Sequence, residues 1–65
     1  MRGVVKSFVF NRGYGFAVPD GGGHDIYIHA AMLRDGERLY PGDRIEFEIG
    51  VGRNGRDEAK DVRRI

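Results

Sequence analysis

Apolar and polar residues alternate with a period of two over most of this 65-residue chain, which is the spacing of strands. In the first segment Val5, Ser7 and Val9 alternate with Lys6, Phe8 and Phe10. The stretch "GYGFAV" follows after only Asn11 and Arg12, which predicts a hairpin between the two segments. Pro19, Asp20 and three glycines then stop the second strand. A third, "DIYIHA", begins near Asp25 with Ile26 and Ile28 on one face and Tyr27 and His29 on the other. The stretch "AAMLRDGERLYPGD" has no sustained helical stripe and is broken by Gly36 and Pro41, so it reads as a short helical turn at Ala30 to Leu33 inside a longer loop. "RIEFEIG" alternates again, with Ile45, Phe47 and Ile49 inward and Arg44, Glu46 and Glu48 on a solvated face. After the loop "GVGRNGRD", a last strand from Glu58 to Arg64 carries Ala59 or Val62 into the core.

Strands near 2–10, 13–19, 24–29, 43–50 and 57–64 with no long helix predict an all-β fold, a small five-stranded antiparallel Greek-key barrel. Closure is how so small a sheet removes its unpaired edges. The inward set is Val5, Val9, Ala17, Ile26, Ile28, Met32, Leu39, Ile45, Phe47, Ile49 and Val62, already a sufficient core. Adding Phe8, Tyr14, Phe16 and Tyr27 would overfill the barrel and bury Lys6, Arg12 and His29 beside them. Parity therefore places these rings outward on three adjacent strands, framed by the three cationic or titratable side chains. The bare positions Gly13, Gly15 and Ala17 on the opposite side of the second strand let it bend around the barrel.

Size and composition narrow the functional classes. A chain this short forms one domain, residues 1–65, with a marginal core. It contains no cysteine, so it has no disulfide framework and no thiolate metal site, and a reducing cytoplasmic setting is expected. No apolar run approaches a membrane span or a signal peptide, so no membrane partner is expected. Eleven Lys and Arg against ten Asp and Glu give a net charge of +1, so any basic footprint for nucleic acid must be local. His24, Asp25 and His29 lack a third well-spaced ligand to close a metal site, and Ser7 has neither a neighbouring histidine nor an elbow motif. Neither a metal, a cofactor nor catalysis is expected.

An outward patch of rings interleaved with cations suits single-stranded nucleic acid, whose bases stack on aromatic side chains while Lys and Arg neutralise the phosphates. A barrel that uses the same aromatic face on a protein partner is the alternative. The residues themselves carry a further clue. Arg12, Gly13, Tyr14, Gly15 and Phe16 match the RNP1 pattern, with Ala17 where a larger aliphatic is usual, and "DIYIHA" resembles an RNP2-type strand.

Over essentially its whole length the chain resembles a bacterial cold-shock domain. That resemblance implies an oligonucleotide-binding barrel that takes single-stranded RNA and DNA with little sequence preference, often as an RNA chaperone or a modulator of transcription or translation. Carried over by position, the binding face comprises Lys6, Phe8, Arg12, Tyr14, Phe16, Asp25, Tyr27 and His29. A monomer is expected, with a dimer as alternative. The chain departs from the family pattern at Ser7, where a tryptophan is usual, at Ala30, where a phenylalanine is usual, and near Gly36–Glu37, where an aromatic is usual. Three fewer platforms imply weak, salt-dependent binding, with Phe10 either compensating or plugging the barrel end. Arg53, Arg56 and the terminal "RRI" are expected to form a flexible rim, with contact to phosphates as the alternative.

Overall fold

The computed structural model describes residues 1–52 and 55–65, so Arg53, one of the rim cations, lies outside the described residues. Five strands, β1 (Arg2–Val9), β2 (Tyr14–Pro19), β3 (Ile26–His29), β4 (Arg44–Val51) and β5 (Asp57–Arg64), close into a barrel in the order β1-β2-β3-β5-β4. The expected helical turn is a 3-10 turn at Ala30–Met32, and a second follows at Arg34–Gly36. One expectation needs correction. The sheet is mixed rather than wholly antiparallel, because β3 meets β5 in parallel at Tyr27 and Glu58.

The core consists of Val5, Ala17, Ile26, Ile28, Leu39, Ile45, Phe47, Ala59 and Val62, each buried, with Phe8, Met32 and Leu33 packed partly against it. Both Ala59 and Val62 turn inward although two residues lie between them. Asp61 accommodates the odd spacing by adopting φ +52°, and Arg34 holds it there through an Nε to Oδ1 hydrogen bond of 3.0 Å.

Three positions differ from the simple alternation. Val9 is 41% exposed and Ile49 40% exposed, while Met32 is only half-buried. For Val9 the cause is a register shift in β1. Val5 pairs with Ala17, but Ser7 pairs with Phe16, Phe8 with Gly15 and Val9 with Tyr14, so Lys6 is an extra residue without a partner. Beyond it every side chain of β1 changes face. Ser7 and Val9 come out beside the rings of β2, and Phe8 goes in. For Ile49 the cause is the reach of β1, whose first residue Arg2 stands opposite Glu46 and follows Met1, which exchanges 2.8 Å backbone hydrogen bonds with Phe47. Past that point β4 has no β1 neighbour to cover it. Met32 sits in the 3-10 turn at the barrel rim, where only one side meets the core.

Gly15 makes the inward turn of Phe8 possible. A Cβ at position 15 would stand 2.5 Å from Phe8 Cδ2 and closer still to the Ser7 carbonyl, so only a bare backbone leaves room for the ring.

Charged side chains tie the barrel surface together away from the rings. Arg44 forks onto Asp20 with two 2.9 Å bonds, and Arg63 and Arg2 converge on Glu46. Hydrogen bonds from Arg63 and Arg2 hold the Glu46 carboxyl below its ordinary value, and Arg34 does the same for Asp61.

Two measurements test this account. Gly15→Ala should lose about 1–3 kcal/mol of stability in urea titration, the usual cost of forcing an extra carbon into packed structure. In acid, the unfolded chain takes up protons at Glu46 and Asp61 before the folded one, so stability should fall as pH drops below about 4. Glu46→Gln should flatten that decline, as followed by circular dichroism.

Candidate nucleic-acid interface

The register of β1, β2 and β3 assembles the outer face. Tyr14 stands opposite His29 and Phe16 opposite Tyr27 across the β2–β3 ladder, while Ser7 and Val9 flank Phe16 and Tyr14 on the β1 side. Side chains of directly paired residues share a face, so these six positions form one surface. At its centre Tyr14 and Tyr27 lie near-parallel with centroids 6.0 Å apart. Phe16 meets both edge-on, at 6.1 Å from Tyr14 and 5.9 Å from Tyr27. The three rings are half-buried by one another and outside the core cluster.

The other sequence-selected residues fall around this trio in different ways. Arg12 is exposed in the β1–β2 turn, where Gly13 takes φ +75° and reverses the chain. His29, at the end of β3, accepts the Ala31 N–H at its Nδ1 (3.1 Å), which leaves the ring proton on Nε2. Lys6, the extra residue of β1, reaches Asp25 at 3.0 Å, so these two candidates first engage one another. Asp25 itself precedes β3 rather than belonging to it. Phe8 is the exception: it is in register with Gly15 on the inner side and packs against the core, not beside Phe16.

One feature of the face was missed by simple alternation, and one rim cation comes closer to it than the default of a flexible rim implies. Val9 joins it, because the register shift is silent in the sequence. Arg56 also approaches it, lining one groove with Tyr27, His29 and Lys60 and another with Phe16, His24 and Asp25. Among the described residues, Arg12, Arg38 and Arg56 enter no ion pair, whereas the remaining Lys and Arg do. No group of three or more His, Cys, Asp or Glu side chains is placed to hold a metal ion among those residues, and no helix is long and apolar enough to cross a membrane.

A closed five-stranded barrel with rings clustered on the outside of two neighbouring strands, β2 and β3, defines a class of small β-barrel. The chain belongs to the cold-shock DNA-binding domain family, whose model matches residues 1–65. It is 43% identical over 65 residues to the cold shock-like protein CspA of Stigmatella aurantiaca, covering 97% of this chain and 94% of that protein. It is 35% identical over 57 residues to the cold shock-like protein CspG of Escherichia coli K12, covering 85% and 81%. Similarity extends to glycine-rich protein 2 of Nicotiana sylvestris, 43% identical over 63 residues, where the match covers 94% of this chain but only 29% of that much longer protein.

The face and core rings should separate in a stability assay. Phe47→Ala should cost about 3–5 kcal/mol, the usual loss for a buried phenylalanine, whereas Tyr27→Ala should cost distinctly less and keep a single cooperative unfolding transition.

Proposed function

We propose that this protein binds single-stranded RNA and DNA with low sequence preference across the outer face of β1, β2 and β3, in a Greek-key barrel of the oligonucleotide-binding type. The reading rests above all on the Tyr14, Phe16 and Tyr27 cluster, three rings within about 6 Å of one another on a solvent-facing surface. Bases stack on such rings irrespective of identity, because every base has a π-face. Arg12, Arg56 and Lys6 take the phosphates; Lys6 exchanges Asp25 for a phosphate oxygen, and His29 donates from Nε2 to a base or backbone oxygen. Binding without strand cleavage suits an RNA chaperone or a modulator of transcription or translation in the cytoplasm, acting as a monomer.

The affinity follows from which platforms are present. Ser7 stands beside Phe16 where a further ring would extend the stack, and Ala30 closes the β3 end without one. At about 1–3 kcal/mol per stacked base, the missing rings place binding in the micromolar range, with a large share carried by phosphate contacts.

Fluorescence anisotropy of labelled oligothymidine at several salt concentrations tests this directly. Affinity should fall steeply as salt rises, Tyr27→Ala should lose about 1–3 kcal/mol of binding, and Ser7→Trp should tighten it by about tenfold. Absence of binding, or an affinity that ignores both salt and Tyr27, would mean that the face serves a protein partner instead.

A further inference from the structure

A second set of rings lies off the central face. Phe10, in the turn after β1, has its centroid 4.8 Å from Phe8 and 6.1 Å from Tyr40, with tilted planes in both cases. The Arg38 guanidinium stacks over Phe10 with its carbon 4.8 Å from the ring centroid. We propose that Phe10, Tyr40 and Arg38 form an additional nucleotide subsite, which takes one base against the rings and the adjoining phosphate on the guanidinium. This inference rests on the reading of the protein as a single-strand binder and extends its site past Val9, which shares the outer face with Tyr14 and directly precedes Phe10.

The local structure displays these groups instead of burying them. Leu39 is 1% exposed and anchors its loop in the core, so Arg38 and Tyr40 on either side of it are turned to solvent. The loop backbone is then fastened to β1: the Gly42 N–H donates to the Val5 carbonyl at 2.8 Å, and the Val5 N–H to the Asp43 carbonyl at 2.9 Å. Asp43 also accepts the Tyr40 N–H at 2.9 Å. Tyr40 is thereby held in place before any ligand arrives, which lowers the ordering cost of binding.

Closing the barrel end does not explain the cluster, because Phe8 already packs against the core while Phe10 remains 37% and Tyr40 51% exposed. Nor does the chemistry favour a second copy of the chain. An apolar self-interface would desolvate an arginine that has no carboxylate partner, at considerable cost. A guanidinium stacked on a ring keeps its edge N–H donors available for a phosphate, and Arg12, likewise without an ion-pair partner, lies two residues beyond Phe10 in the same turn. Ring, cation and second cation together match a base flanked by phosphates.

The test uses the intact protein and labelled oligothymidine of two lengths, about four nucleotides, enough for the central rings alone, and about eight. Arg38→Gln and Tyr40→Ala should each weaken binding of the longer strand about tenfold and leave the shorter one unchanged, while Tyr27→Ala should weaken both. Both loop substitutions lie on exposed side chains, so they decide the question even where Phe10→Ala disturbs Phe8 and the fold. If the two loop variants bind the longer strand as the unmodified protein does while Tyr27→Ala is impaired, the second subsite is wrong and the single-strand reading stands. If the unmodified protein binds neither strand, both fail together. Concentration-dependent dimerisation abolished by Tyr40→Ala, with oligonucleotide binding unaffected, overturns the subsite in favour of self-association.

Discussion

The contact between the Phe8 ring and the bare backbone of Gly15 governs how this barrel divides its surface. β1 gives Val5 to the core at one end and Ser7 and Val9 to the outer face at the other, whereas a strict alternation would keep all three on the same side. The extra residue Lys6 switches the strand from one duty to the other, and the switch succeeds only because β2 offers no side chain where Phe8 turns in. Ser7 and Val9 reach the outer face as a result. The glycine that looks like a gap in the RNP1 stretch is the space into which the first strand folds.

The same economy holds for charge. A chain with a net charge of +1 has no general attraction for nucleic acid, yet its cations are not evenly distributed in effect. Arg2, Arg44, Arg63 and Arg34 are engaged by Glu46, Asp20 and Asp61 and serve the barrel itself. Arg38, which stacks over Phe10, Arg56, which shares grooves with Tyr27 and Phe16, and Arg12, exposed in the β1–β2 turn, have no such partner among the described residues. Ion pairing thus leaves a local positive margin that composition conceals.

Much of this was legible in the sequence. Period-two alternation located all five strands and seven of the nine buried core residues, because alternating burial depends only on the geometry of the pleat; Leu39, in the loop before β4, was also in the expected core, and Ala59 was offered as an alternative to Val62. It also selected Tyr14, Phe16, Tyr27 and His29 for the outer face. It erred where one residue breaks the count: Phe8 and Val9 exchanged sides after the unpaired Lys6, and nothing in a single sequence marks such a residue. Ile49 was misplaced for a different reason, since its own strand is regular in parity there but its neighbour has ended. The Arg38–Phe10–Tyr40 cluster was beyond pattern reading altogether, as it joins a turn to a loop about thirty residues away through tertiary packing.

The parallel join between β3 and β5 gives the barrel an uneven grip on itself. β1 and β2 share a long ladder, whereas β3 and β5 meet through Tyr27 and Glu58, supplemented by the isolated bridge between Leu33 and Val62. Thermal opening concentrates where backbone pairing is sparsest, which favours this seam over the β1–β2 hairpin. Tyr27 stands on one lip of the seam, and Arg56 and Lys60 lie across it in the groove they share. On the proposed reading, a strand of nucleic acid lying over these residues would join the two lips from outside, a removable stave that slows the breathing of the barrel for as long as it stays bound.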